Sequence, residues 1–306
     1  MMGKNQYALF SLFFILGACV TAKKENLSEN IKESSSSQSV SLPIQFSLSS
    51  VEVIDGSVLW VNVKTESGVK ASDLIGKFET TEFKFYPMKG DLQYQALLGI
   101  PFNHKPGQAE VKIQYQLGDV RTNLSLPFTI KDGNYPSEEI KVSTKHVHPN
   151  KKDSERIKNE NSEIAKIYQH SQSEKFWEGP FHLPLQSQPT SYYGTKRVYN
   201  GDLQSFHSGL DLKAAEGTPV SAAASGKVVF AKNLFLTGNT VLIDHGFGVF
   251  TVYAHLSKIK VKRGRKILVG NLLGLSGHTG RVNGPHLHWG VVIHRVKVNP
   301  LEMTKS

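Results

Sequence analysis

Five residues in three short segments of the chain have the side chains that a metal-dependent hydrolase needs. They are His207, Asp211, His255, His286 and His288. Imidazole nitrogens and a carboxylate oxygen form a ligand set suited to Zn²⁺. Each segment alone is a weak signal, because a short His-x-His sequence often occurs by chance. Their occurrence together in a glycine-rich part of the chain indicates a metal site with further histidines beside it.

The spacing of these residues predicts which of them share a surface. Side chains in a strand alternate between its two faces, so His286 and His288 should project from one face. His207 and Asp211 are four residues apart, an even spacing that places both on one face of an extended segment. A helix is disfavoured there because Gly209 lies between them. We therefore predict an imidazole pair beside an imidazole and a carboxylate.

A series of short blocks surrounds these residues and extends over most of residues 176–302. The blocks are Phe206–Leu212 (FHSGLDL), Gly217–Ala222 (GTPVSA), Gly226–Val229 (GKVV), Gly238–Val241 (GNTV), Asp244–Gly246 (DHG), Tyr253–Ser257 (YAHLS), Gly277–Gly280 (GHTG) and Gly284–His288 (GPHLH). In content and order they resemble the lysostaphin/LytM-type zinc endopeptidases of bacterial cell walls. So many blocks in the same order leave little room for coincidence.

This resemblance implies a role for each of the five residues. It assigns His207, Asp211 and His288 as ligands of one zinc ion per chain, and it places His255 and His286 beside the water and the carbonyl that react. Three protein ligands leave a fourth position open, as in catalytic zinc sites. We favour His286 as the general base and His255 as the group that stabilises the oxyanion, although the resemblance leaves open which of the two is the base.

The function that the resemblance implies is hydrolysis of peptide cross-links in bacterial peptidoglycan, for remodelling of the cell wall. Two alternatives belong to other classes: a non-catalytic activator of cell-wall amidases, and a wall-binding envelope protein whose N-terminal part carries the function. Non-catalytic members of the family lack one or more of the five residues. Because all five are present here, the sequence favours the enzyme.

The N-terminus predicts export and lipidation. Lys4 precedes an apolar stretch, residues 8–18, that is too short to span a bilayer. It ends in Leu-Gly-Ala before Cys19, the chain's one cysteine, which resembles a bacterial lipobox. We predict a signal peptide at residues 1–18, a lipidated Cys19 and a Ser-rich tether at residues 19–42. The alternative is ordinary signal cleavage after Ala22, giving a soluble periplasmic or secreted protein.

Composition and net charge limit the classes of partner that the protein could bind. Hydrophobic residues make up 39% of the 306 residues and charged residues 20%, which excludes wholesale disorder. The formal net charge of +10 suits an anionic partner. For an exported, lipid-anchored protein, we expect peptidoglycan stem peptides and the membrane as partners, and an envelope regulator protein as a further one. We do not expect nucleic acid.

The pattern of apolar residues predicts a mainly β protein in two parts. Short alternating runs indicate an N-terminal antiparallel β-sandwich at residues 43–140, which also resembles the all-β domain ahead of some of these peptidases. Residues 150–175 should connect this sandwich to the C-terminal domain through a helix at residues 153–172, capped by Asp153 or Ser154. Residues 176–306 should form an antiparallel β peptidase domain.

Four other residues are candidates for smaller roles. Arg197, Asn200 and Arg281 flank the expected groove and could meet carboxylates of the substrate. His245 is assigned a structural role in a turn.

Overall fold

The computed structural model describes residues 43–305 apart from residues 68, 70, 89 and 91. The predicted signal peptide, Cys19 and the tether at residues 19–42 lie outside the described residues. Strands account for 49% of the described residues and helices for 10%, which confirms the mainly β prediction. Within the described part of the chain, no helix is long and apolar enough to cross a membrane.

Two β-sheets pack face to face in the first part of the chain. Their strands are β1 (Ile44–Leu48), β2 (Glu52–Ile54), β3 (Val58–Thr65), β4 (Ala71–Phe78), β5 (Thr81–Lys84), β6 (Tyr86–Pro87), β7 (Gln93–Gly99), β8 (Gly107–Leu117) and β9 (Val120–Lys131). The strand orders are β1-β3-β7-β6 and β2-β9-β8-β4-β5. Alternate residues of β3, such as Leu59 and Val61, are fully buried and share a core with Ile113 and Ile130 of the second sheet. All pairs are antiparallel except β2 with β9.

The second part of the chain is built on an eight-stranded antiparallel sheet. The strands of this part are β10 (Ser137–Ile140), β11 (Pro189–Ser191), β12 (Lys196–Tyr199), β13 (Leu203–Phe206), β14 (Leu210–Lys213), β15 (Pro219–Ser221), β16 (Gly226–Leu234), β17 (Gly238–Gly246), β18 (Val249–Leu256), β19 (Lys258–Ile259), β20 (Lys266–Ile267), β21 (Leu272–Leu275), β22 (His286–Ile293) and β23 (Val296–Val298). The large sheet has the order β11-β14-β22-β18-β17-β16-β20, and β23 pairs with β22.

Two smaller sheets complete this part, with the orders β10-β12-β13 and β15-β21-β19. Strand β10 pairs in parallel with β12, so the segment that follows the sandwich is tied directly to the second part. Short 3₁₀ helices lie at Thr144–His146 and Pro300–Thr304. On one face of β22, Leu287, Trp289 and Val291 are fully buried in the core of the large sheet.

A single α-helix, α1 (Lys151–Tyr168), is present among the described residues. Its cap is Asn150 and not Asp153 or Ser154 as predicted, because the Asn150 side chain accepts the Asp153 N–H at 2.9 Å from an extended backbone. The helix also ends before residue 172. Ser171 Oγ and the Gln172 N–H both donate to the Asp244 carboxylate, which draws the chain out of the helix.

Aromatic contacts join the two parts of the structure. Tyr86 of the sandwich is fully buried against Trp177, with ring centroids 5.6 Å apart. Phe102, from the loop after β7, stacks on Phe206 with ring centroids 4.0 Å apart. Phe206 ends β13 and directly precedes His207, so the sandwich supports the backbone beside the predicted metal ligand.

His245 lies in strand β17 and not in a turn. Its ring is fully buried, and its nitrogens contact the Ser225 carbonyl oxygen at 2.7 Å and the Thr251 hydroxyl at 2.8 Å. The structural role is therefore supported, although the predicted turn is wrong. Burial lowers the pKa of His245 to about 4, so the folded protein keeps this ring neutral.

This buried ring predicts a loss of stability in mild acid. Between the unfolded pKa of about 6.5 and the folded pKa of about 4, the unfolded state binds more protons, so stability falls as the pH falls through that window. We expect a loss of about 2 kcal/mol from this group between pH 7.0 and 4.5, measured by denaturant unfolding. The His245→Gln variant should show a shallower slope, while His182→Gln, at an exposed position, should keep the wild-type slope. Equal slopes in all three proteins would contradict this assignment.

Candidate active site

The predicted ligands meet on one face of the large sheet. Asp211 of β14 lies directly opposite His288 of β22 in the antiparallel register, and His207 lies in the short connection before β14. Asp211 Oδ1 is 2.9 Å from both His207 Nε2 and His288 Nδ1, and these two nitrogens are 3.0 Å apart. His207 and Asp211 are buried, and His288 is partly exposed. The three atoms form a compact triangle that can face a single cation.

The size and chemistry of this triangle fit a zinc ion. Zn²⁺ binds nitrogen and oxygen at about 2.0–2.2 Å in a tetrahedron, which sets its ligand atoms about 3.3–3.6 Å apart. The observed separations are slightly shorter and need only small side-chain movements. The His207 Nδ1–H can donate to the Tyr192 carbonyl oxygen at 2.9 Å, which leaves Nε2 as a lone-pair donor toward the triangle.

Gly209 allows the two ligand segments to approach each other. A Cβ atom at this position would lie 2.5 Å from the Trp289 carbonyl oxygen and 2.6 Å from the His288 ring. Any larger residue would therefore displace the strand or the imidazole. The glycine inside the His-x-Gly-x-Asp sequence is explained by this close contact.

The other two predicted residues lie beside the triangle. The His255 and His286 ring centroids are 4.9 Å apart, and His286 Nε2 is 3.6 Å from Asp211 Oδ1. The His255 Nδ1–H can donate to the Thr279 carbonyl oxygen at 2.8 Å, and that of His286 to the Gly284 carbonyl oxygen at 2.9 Å. With these tautomers, both rings turn an acceptor Nε2 away from the supporting loops. The structure thus brings all five predicted residues together.

The electrostatics favour an ionised Asp211 carboxylate and neutral rings at His255 and His288. Burial by itself would raise the pKa of Asp211, but hydrogen bonds and charge from His207 and His288 outweigh it and hold that pKa well below its usual value. Burial lowers the pKa of His288 to about 4 and that of His255 to about 3, with neighbouring histidines adding to the effect. Near neutral pH, His255 and His288 therefore have lone pairs available for a metal or a proton.

Arg197 holds the outer oxygen of Asp211 and does not flank an open groove as predicted. Its Nη2 donates to Asp211 Oδ2 at 2.9 Å and to Ser191 Oγ at 2.9 Å, while its Nε donates to Glu138 Oε1 at 2.7 Å. The Arg197 side chain is 13% exposed, so a substrate has little access to it. The sequence gives no direct signal of this pairing, because it depends on the parallel contact of β10 with β12.

The other two predicted groove residues differ from each other. The Asn200 side chain is bound to the backbone of Val142, accepting its N–H and donating to its carbonyl oxygen at 2.9 Å. Asn200 therefore has a structural role and is not aimed at a substrate. Arg281 stacks its guanidinium on the Tyr199 ring at 4.2 Å, and it lines a cleft that also contains His288.

Comparisons with known proteins agree with this geometry. Residues 205–300 match the family model described as Peptidase family M23. The peptidoglycan DD-endopeptidase ShyA of Vibrio cholerae is 46% identical over 96 residues, which cover 31% of this chain and 22% of the relative. The DD-carboxypeptidase/endopeptidase Mpg of Neisseria meningitidis is 42% identical over 97 residues, which cover 32% of this chain and 22% of the relative. The aligned region thus spans about a fifth of these relatives.

A solved structure resembles more of the molecule. The crystal structure of a peptidase M23 from Pseudomonas aeruginosa matches with a TM-score of 0.64 at 26% identity, covering 82% of this chain and 94% of the other. The similarity therefore includes the β-sandwich as well as the sheet that carries the five residues. The match to the family model, the similar architecture and the His-Asp-His group agree with one another. The match to peptidase family M23 covers residues 205–300, about a third of the chain.

Proposed function

We propose that this protein is a zinc-dependent endopeptidase that hydrolyses the peptide cross-links of bacterial peptidoglycan. The observation that carries the proposal is the complete five-residue cluster: three ligand atoms within 3.0 Å of one another, with two further imidazoles beside them. The named activities of the M23 relatives support the substrate class. The complete cluster also argues against a purely regulatory role.

In this proposal, His207, Asp211 and His288 hold the zinc ion. A zinc ion bound by three protein ligands supplies an activated water at neutral pH and polarises the scissile carbonyl. Arg197 fixes the Asp211 carboxylate so that Oδ1 lies beside the two imidazole nitrogens, and the Tyr192 carbonyl fixes the His207 ring. These supporting contacts keep the ligand geometry ready before a substrate binds.

His255 and His286 handle the proton and the developing charge. Both rings present an acceptor Nε2, so each can take a proton during attack and return it to the leaving amine. The assignment of His286 as base and His255 as oxyanion stabiliser stays a prediction. The burial that lowers the pKa of His255 to about 3 disfavours the protonated form that this assignment requires of His255.

We place the protein in the cell envelope, where peptidoglycan is. The cell-wall activities in the names of its relatives support this location. Anchoring through a lipidated Cys19 remains part of the proposal, as do an envelope regulator as partner and the division of the chain into a sandwich at residues 43–140 and a peptidase domain at 176–306.

Digestion of peptidoglycan tests the proposed function. Purified protein with one equivalent of zinc should release peptide-containing fragments that mass spectrometry assigns to cleaved cross-links. A chelator should stop the release, and His288→Ala should reduce both bound zinc and release by at least about 100-fold because it removes one of three ligands. His278→Ala, an exposed histidine near the groove, should match the wild type. If zinc-loaded protein released nothing, or if His288→Ala remained fully active, the proposal would fail.

His255 should be needed for cleavage but not for metal binding. We expect His255→Ala to retain one zinc per chain and to lower kcat by about 10²–10⁴-fold, the usual contribution of a positioned acid or base. Metal content by plasma emission spectrometry and initial cleavage rates on the same sample measure the two effects separately. A variant that lost its zinc would instead identify His255 as a ligand.

Arg197 should control metal affinity from outside the ligand set. We expect Arg197→Met to weaken zinc binding by about 10–100-fold, since it removes the hydrogen bond that orients Asp211. Competition with a chromophoric chelator measures the affinity. The matched control is Arg263→Met at an exposed position. Equal affinities in both variants would show that Asp211 does not need this support.

A further inference from the structure

A cleft beneath helix α1 extends the metal-bearing face of the large sheet. We call it the α1 cleft; it has a volume of about 280 Å³. Its floor includes Val252 and Val292, its roof includes Ile157 and Ile164, and it reaches His288. No residue of α1 is buried, so the helix covers the sheet without filling the space beneath it.

The floor of the cleft is the same surface that carries the ligands. Residues two and four positions along a strand share a face, so Gly290 and Val292 lie on the side of His288. Val292 pairs directly with Lys297 of β23, which places the Lys297 side chain on this face as well. Four residues of strand set Lys297 about 13 Å from His288 along the sheet. A peptide that reaches the metal from this side passes Lys297.

Two cations line the α1 cleft without an acidic partner among the described residues. Neither Lys297 nor Arg281 has a carboxylate within ion-pairing distance in that part of the chain. Glu160, which also lines the cleft, is already engaged by Arg156 Nε at 2.7 Å and by the Phe235 N–H at 2.8 Å. The cleft therefore has a local excess of positive charge.

The surroundings of these cations suit an anionic ligand. Arg281 is held by stacking on Tyr199, so its guanidinium is oriented before anything binds. Lys297 is exposed as a whole residue, but its side chain lines the concave cleft. Partial burial of the ammonium in this cleft lowers the pKa of Lys297. Placing a carboxylate beside it would offset this desolvation. Charge-assisted hydrogen bonds from lysine and arginine are among the stronger contacts to carboxylates.

We propose that the α1 cleft binds a free carboxylate of the substrate peptide through Lys297, and so favours peptides that carry an acid on this side of the scissile bond. This inference rests on the proposed peptidase function and adds a specificity site to it. Ile157 and Ile164 of α1, with the floor valines, would contact the apolar part of the same residue. The ligand class is a peptide acid, as distinct from a neutral peptide amide or inorganic phosphate.

A matched pair of muropeptides, one with free carboxylates and one with those groups amidated, tests this site. We expect wild-type protein with zinc to cleave the acid with a kcat/KM about tenfold higher than the amide. Lys297→Gln should remove this preference by lowering kcat/KM for the acid peptide alone, and Lys297→Arg should retain the preference. Lys262→Gln, at an exposed position, should behave as wild type. Equal kcat/KM values for acid and amide in the wild type, or an unchanged preference in Lys297→Gln, would overturn the proposal.

Binding in the presence of a chelator separates this inference from the proposed function. Titration calorimetry should give a dissociation constant about tenfold lower for the acid than for the amide, with the difference lost in Lys297→Gln. If the wild type binds the acid selectively but cleaves neither peptide, the peptidase proposal fails and the carboxylate site stands. If inorganic phosphate competes fully with the acid at equal concentration, the cleft is a general anion site and the proposal is wrong.

Discussion

The arrangement of the candidate site depends on the contacts of one carboxylate, that of Asp211. Oδ1 of Asp211 lies 2.9 Å from a nitrogen of each of two imidazoles, while Oδ2 accepts a hydrogen bond from Arg197 at 2.9 Å. A buried carboxylate without such partners would be protonated and would lose its value as a ligand. Here the hydrogen bond and positive charge of Arg197 favour the ionised carboxylate, so the triangle can accept a cation. The proposed role of the two remaining histidines depends on this triangle being fixed.

Strand pairing and close backbone packing bring the partners of Asp211 to its carboxylate. The register of β14 with β22 places Asp211 opposite His288, and Gly209 lets the chain before β14 pass close to the His288 ring. Parallel pairing of β10 with β12 sets Glu138 beside Arg197, which in turn holds the carboxylate. The sandwich contributes through Phe102, which stacks on the residue before His207. Elements far apart in the sequence thus converge on a single side chain.

Local patterns were sufficient to predict the mainly β fold, and together with the family resemblance they singled out the five residues that the structure brings together. The alternation of β22 places His286 and His288 on one face, because a strand has a period of two whatever lies around it. The N-cap of α1 was predicted three to four residues too late, since Asn150, Asp153 and Ser154 are all competent caps and only the backbone at Asn150 decides between them.

Local sequence patterns could not predict the contacts between strands that are distant in the sequence. Arg197 has the sequence character of a surface arginine, and its burial against Asp211 and Glu138 follows from strand pairing that no local signal shows. Lys297 faces the α1 cleft for the same reason, through the pairing of β23 with β22. Asn200 is a similar case, since its bonds to Val142 depend on how the segment after β10 returns to the sheet.

A crystal structure of the zinc-loaded protein, with an anomalous difference map at the zinc absorption edge, tests the central claim most directly. The account predicts one strong peak per chain, about 2.0–2.2 Å from His207 Nε2, Asp211 Oδ1 and His288 Nδ1, with His255 and His286 outside bonding distance. A peak held by a different set of side chains, or none in protein that carries stoichiometric zinc, would contradict it.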